Sequence, residues 1–227
     1  MRPDYLQFRF SKLNTPEFEH IKLLLYWLIF GAIFWSMEIF LPMHFHNVYC
    51  SLDDKIPFCE YFVVPYYFWF VYLIGMMVYG FFFDVPAFKN YMYFTILTYT
   101  ATLVIYAIYP TEQNLRPDAL PRDNVFTNVV KFLYGFDTNT NVCPSIHVLG
   151  SMAVYFAARK SKAFGALWCR IVFLIATIII SVSTVFLKQH SVIDIAVAVI
   201  IGLIAYPFVY KKDSSVETIK ETEAVSK

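Results

Sequence analysis

Residues Ser191–Tyr210 read SVIDIAVAVIIGLIAYPFVY, and Asp194 is the one charged side chain among them. About 20 apolar residues cross a bilayer as a helix. The stretch therefore reads as a membrane span with a carboxylate at its mouth. Such a carboxylate is costly in lipid unless paired. His190 lies four residues before it. In a helix the two share a face, one turn apart. The Asp would hold the imidazole in one tautomer and stabilise its positive form, leaving the other ring nitrogen free to attack.

The rest of the chain supports the same solvent. Of its 227 residues 59% are hydrophobic and 15% charged, with a mean hydropathy of +0.55. A soluble domain of this length could not bury that much apolar surface. Six spans are read: Ile21–Met43, Tyr61–Phe83, Tyr91–Tyr109, a short Ser145–Ala158, Ala166–Phe186 and Ser191–Tyr210. Helices satisfy their backbone internally, and the alternation of a transmembrane barrel is absent. The fold class is all-α, a polytopic six-helix bundle. Residues 1–20 form an N-terminal segment, 21–210 the membrane domain and 211–227 a polar tail expected to be disordered. The first apolar run is long and follows a mostly polar segment, unlike a cleavable signal peptide.

With both termini on one side, that side receives thirteen of the 18 Lys and Arg residues. The positive-inside rule makes the termini cytoplasmic. The Pro110–Pro144 connection and both histidine segments then face outside. The net charge of +1 says little about partners; the expected partners are the bilayer and a membrane lipid, with no nucleic acid. Cys50 and Cys59 share the first external loop, and a disulfide and two free thiols are both compatible with it. Cys169 reads as packing. No zinc-like cysteine pairs occur, so neither metal nor cofactor is expected.

Three segments carry polar groups of the right kind for chemistry. In Cys143-Pro144-Ser145-Ile146-His147, Pro144 and Ser145 suit a helix start, whose free N–H groups attract anions. The segment Ser183–Asp194 contains Ser183, Lys188, His190 and Asp194. After the third span comes Tyr109-Pro110-Thr111-Glu112-Gln113-Asn114-Leu115-Arg116-Pro117, where Arg116 offers a forked donor for phosphate oxygens. Arg122 and Lys131 are weaker candidates of that type. Glu38, near the outer end of the first span, would meet a headgroup or steady an Arg. His44 and His46 read as exposed interfacial residues, and His20 has no apparent partner.

These ordered motifs, Arg-Pro, Pro-Ser-Ile-His and Ser-x6-His-x3-Asp, resemble the type 2 phosphatidic acid phosphatase (PAP2) superfamily over roughly Pro110 to Tyr210. That superfamily includes lipid phosphate phosphatases and headgroup phosphotransferases of the inositol phosphorylceramide and sphingomyelin synthase type. The resemblance implies His190 as a nucleophile forming a phosphohistidine, Asp194 as its orienting carboxylate and His147 as acid and then base. It implies Arg116, Ser145 and Ser183 as holders of phosphate oxygens, with no metal. Three positions depart from the pattern. Tyr109 stands where a Lys is usual, Thr184 where an Arg is usual and Ile146 where a Gly is usual. Two cations are thereby lost, which favours a singly charged phosphodiester over a diphosphate unless Lys188 and Arg122 compensate. A lipid transporter would show inverted repeats or interrupted helices, and none is read. Paired haem ligands fit the histidines less well than phosphate chemistry does, given the adjacent Asp and Arg-Pro.

Overall fold

The structure, a computed structural model, describes residues 3–40 and 44–225, with side chains as far as Tyr210. Long helices dominate because uninterrupted apolar runs in lipid must satisfy their own backbone. α1 is Leu25–Phe40, α2 the short Ser51–Lys55, α3 Val63–Phe83 and α4 Val85–Ile108. α5 is Val125–Phe136, α6 Ile146–Lys160, α7 Leu167–Phe186 and α8 Val192–Val225. Among the described residues, five helical segments are long and apolar enough to cross a membrane: Glu19–Phe40, Glu60–Phe83, Val85–Ile108, Leu167–Phe186 and Val192–Tyr210. Their outward faces carry exposed large apolar residues such as Leu28, Val71, Trp168 and Phe208. Water would penalise these residues and acyl chains would not. The protein is a polytopic helical membrane protein.

The expected fourth span is the exception in length. α6 has 15 residues, or about 22 Å of helix, against a hydrocarbon core of about 30 Å. It is short because it is the centre. Eleven of its residues, from His147 to Ala158, are buried, and it packs against α3, α4, α7 and α8. Close approach is enforced at Gly150, where an added Cβ would lie 2.5 Å from Tyr99 Oη and 3.1 Å from Trp69 Nε1. The end of the expected first span, residues 41–43, lies outside the described residues. α8 continues as helical backbone to Val225, over most of the segment whose composition suggests a disordered tail; the side chains beyond Tyr210 and residues 226–227 lie outside the description.

The histidine end of the bundle carries extra structure. Two short strands pair in parallel, β1 (His46–Asn47) with β2 (Thr111–Glu112). α5 lies across this end. Its Val130 and Leu133 pack with Val63, Tyr66 and Leu187, while Phe132 and Phe136 stay exposed. Several readings from sequence are refined here. His46 is exposed, as expected, and stacks on Tyr109, with ring centroids 3.9 Å apart. His20 has a partner, since its Nε2 lies 2.8 Å from Tyr5 Oη. Cys50 and Cys59 are both free thiols, so the bridge left open from sequence is not made. His190 precedes α8 instead of lying within it.

Packing around Gly150 yields a prediction. Gly150→Val should lower the thermal unfolding midpoint of the detergent-solubilised protein, through overpacking of about 1–3 kcal/mol. Gly75→Ala, where nothing lies within 4 Å of the new methyl group, should leave the midpoint nearly unchanged. Equal effects in the two variants would contradict the central placement of α6.

Candidate active site

The first turn of α8 is built around Asp194. Its Oδ2 accepts from the Ser191 N–H at 2.9 Å and lies 3.0 Å from His190 Nδ1. Ser191 Oγ in turn accepts from the Ile193 N–H at 3.2 Å. This reciprocal pattern resembles a capping box, and it uses up donors that the helix leaves free. The same carboxylate that caps the helix thus fixes the imidazole. Cys143 completes its surroundings. Burial pushes the Cys143 thiol up to about 12, and the Asp194 carboxylate beside it adds to the rise, so the thiol stays protonated as a donor.

A second carboxylate reaches this turn from a distant part of the chain. Asp53, on α2, is buried. Its Oδ1 accepts from the Val192 N–H at 2.9 Å, and its Oδ2 from Ser191 Oγ at 2.7 Å and the Cys50 N–H at 2.8 Å. An anion at a helix N-terminus is favoured by the exposed N–H groups and the helix dipole. Burial alone would raise the Asp53 carboxyl, but the hydrogen bonds from Val192, Ser191 and Cys50 outweigh it and hold the group below its ordinary value. Sequence reasoning missed Asp53, because its partners are 138 and 139 residues away.

The start of α6 is clamped by tyrosines from α4. Tyr106 Oη donates to the Pro144 carbonyl at 2.7 Å and Tyr99 Oη to the Ile146 carbonyl at 3.1 Å. Ser145 is fully buried with no hydrogen-bond partner for Oγ. That suits a donor for a bound anion at a helix N-terminus. His147 packs on Tyr66 and Trp69, with centroids 4.5 and 4.3 Å away, and its ring centroid is 5.8 Å from that of His190. Both histidines line one small cavity of about 30 Å³ together with Asp137, Gln189, Phe34 and Tyr106.

The predicted phosphate holders fare unequally. Arg116 is next to the site but faces protein acceptors. Its Nε and Nη2 donate to Gln189 Oε1 at 3.0 and 2.6 Å, its Nη2 to the Asp137 carbonyl at 2.7 Å and its Nη1 to the Tyr134 carbonyl at 3.2 Å. It also lies over the Tyr134 ring, 4.5 Å from the centroid, and burial lowers its pKa. Ser183 Oγ donates to the Ile180 carbonyl at 2.6 Å, within its own helix. Lys188 and Arg122 are turned to protein acceptors. Lys188 Nζ donates to the Asp53 and Ile56 carbonyls at 2.7 and 2.5 Å, and burial lowers its pKa. Arg122 is paired with buried Glu60, with Nε 2.7 Å from Oε1 and Nη2 2.9 Å from Oε2. Both cations are held by structural acceptors because buried carbonyl and carboxylate groups need donors.

Glu38 neither steadies an Arg nor lines the cavity. Its Oε2 accepts from Thr138 and Thr140 hydroxyls at 2.7 and 3.1 Å, and its Oε1 from Asn141 Nδ2 at 2.7 Å. It tethers the segment that walls the cavity. The two departures from the expected cation pattern also acquire reasons. Tyr109 is turned to His46. Thr184 is fully buried, and its carbonyl accepts the N–H groups of Gln189 and His190 at 2.9 and 3.2 Å.

Two histidines, a carboxylate bonded to one of them and a buried hydroxyl at a helix start thus lie together at one end of the bundle. The family model of the PAP2 superfamily matches residues 89–214. The chain belongs to the PAP2 superfamily. The matched segment of this PAP2 protein contains Arg116, Ser145, His147, Ser183, His190 and Asp194 and leaves out Glu38 and Asp53. Comparisons with curated proteins and with solved structures returned no match. Membership places the protein among phosphoesterases and phosphotransferases acting on lipid-like substrates.

The Asp53 contacts predict a pH-dependent stability. Because its folded pKa is depressed, its contribution is fully present above the unfolded value, about 4, and is lost as pH falls through the folded value. Asp53→Asn should lower the unfolding midpoint at neutral pH and flatten the further fall on acidification below about pH 4. An acid limb of native steepness in the variant would contradict the assignment.

Proposed function

We propose that the protein cleaves a lipid phosphate ester through a phosphohistidine on His190. The observation that supports this most directly is the Asp194 contact to His190 Nδ1, which leaves Nε2 as the nucleophilic nitrogen in a cavity that His147 also lines. In the first half-reaction Nε2 attacks phosphorus and the bond to the leaving alcohol oxygen breaks. That oxygen takes a proton from His147. In the second, His147 removes a proton from the acceptor hydroxyl, its oxygen attacks phosphorus, and the phosphorus–nitrogen bond breaks to restore His190. Asp194 stabilises the charge on the His190 ring throughout. The transition state asks for positioning and charge stabilisation more than for further covalent machinery. Ser145 Oγ and the first N–H groups of α6 supply neutral donors. Arg116 contributes by aligning Gln189 beside His190.

With water as acceptor the reaction is that of a lipid phosphatase. With an alcohol it is headgroup transfer, and one observation favours this second reading: the residues lining the cavity include no Lys or Arg. A singly charged diester needs less neutralisation than a dianionic monoester. The charge distribution along the chain supports an extracytoplasmic site and cytoplasmic termini.

Labelled lipid substrate should leave acid-labile label on His190, mapped by mass spectrometry. His190→Ala should abolish both label and turnover. His147→Ala should slow turnover of esters with poor leaving groups by about 10²–10⁴-fold and affect activated esters far less. Label on another residue, or full activity in His190→Ala, would overturn the mechanism. For orientation, Asp123→Cys should react with an impermeant thiol reagent from outside intact cells, above the background of the native protein; reaction from the cytoplasmic side alone would reverse the topology.

A further inference from the structure

Asp137 follows α5 and stands in the wall of the cavity shared by His147 and His190. Its Oδ2 accepts from Tyr66 Oη at 2.6 Å and from Gln189 Nε2 at 3.3 Å. Both donors are neutral. The nearby guanidinium of Arg116 bonds the main-chain carbonyl of Asp137 instead of its carboxylate. Burial pushes the Asp137 pKa above its ordinary value, while the Tyr66 hydrogen bond and the charges of His190 and Arg116 oppose the rise.

A carboxylate is an odd wall for a phosphate. Sites for phosphoryl groups gather cations, and a nearby like charge disfavours a second anion. Here the lining residues offer two histidines, neutral hydroxyl and amide groups and this one carboxylate, with no Lys or Arg. Glu38 adds a second negative group behind the same wall, through Thr138, Thr140 and Asn141. The aromatic rings of Phe34 and Tyr106 complete the lining, their centroids 6.4 Å apart. Aromatic faces combined with a carboxylate are the chemistry that holds an ammonium group. The histidines and the start of α6 suit phosphorus, and the Asp137 carboxylate in the same lining suits a cation attached to it.

We propose that Asp137 determines substrate choice by receiving an ammonium group carried on the alcohol part of the phosphate ester. The site then prefers zwitterionic phosphodiesters, or phosphorylated amino alcohols, to a lipid monophosphate without a cation. This rests on the reading above for where phosphorus sits and adds the recognition of the other end of the headgroup. It also accounts for a site that does without the two cations at positions 109 and 184, since the substrate brings its own positive charge.

The test is binding of soluble headgroup analogues to the purified full chain in detergent. Choline phosphate should bind the native protein at least about tenfold more tightly than glycerol 3-phosphate, as expected for one charge-assisted contact. Asp137→Asn should erase the preference, and Asp137→Glu should retain most of it, which separates charge from packing. Equal affinity for the two esters in the native protein, or a preference surviving in Asp137→Asn, would overturn the proposal. The readout is affinity and not turnover, so a missing phosphoenzyme would fault the mechanism alone, and a missing preference would fault the role of Asp137 alone.

Discussion

A carboxylate at the mouth of a membrane helix must be satisfied by its own protein, and Asp194 shows how much structure follows from that demand. A buried, unpaired charge costs several kcal/mol. Asp194 reduces this cost through Oδ2, which meets the Ser191 N–H and the His190 ring, with the Cys143 thiol beside the carboxylate. Each of those groups then needs its own support. Asp53 holds Ser191 and the Val192 N–H, and the Thr184 carbonyl holds the backbone of His190. Thr111 Oγ1 accepts the Cys143 N–H at 3.0 Å. The chemistry-bearing segment is thus fixed by α2, α7, β2 and the start of α6 together. An orienting carboxylate is useful only if it is itself immobile, because the imidazole inherits its position.

The central placement of α6 follows from the same economy. A helix too short to cross the bilayer cannot face lipid without exposing its ends, but it can be enclosed. α3, α4, α7 and α8 surround α6, and its N-terminus is held by Tyr99 and Tyr106 at the level of the histidine pair. His147 is consequently placed by a rigid, fully packed element. The 137–142 segment belongs to a connection, held by backbone hydrogen bonds to Thr111 and Gln113 and by the side-chain hydrogen bonds of Glu38. The histidine pair is thus carried by α6 and the start of α8, and the connection supplies the remaining wall of the cavity.

The cationic side chains illustrate how context overrides residue type. Arg116, Arg122 and Lys188 all lie at the histidine end, yet their donors are taken by carbonyls, by Gln189 and by Glu60. A buried acceptor without a donor is expensive, so nearby cations are recruited for structure first. The cavity between the histidines is lined by neutral donors and a single carboxylate, an electrostatic character opposite to what a count of nearby Lys and Arg residues suggests.

The sequence by itself determined the membrane class, the helical architecture and the histidine, serine and aspartate set. Those are read from local signals: long apolar runs, one charge inside Ser191–Tyr210, and a His and an Asp four residues apart. Short-range pattern also placed Pro144 and Ser145 at a helix start, where the structure has Ser145 as N-cap. The tertiary structure alone decided the rest. That Asp53 caps a helix 139 residues away, that Glu38 tethers a loop about 100 residues away and that Asp137 enters the cavity are facts about packing. No spacing rule encodes them. The local code specifies which groups exist and on which helix they ride. Which of them face one another depends on how the helices assemble, since pairing across elements is set by their mutual packing and by the need to leave no buried polar group without a partner.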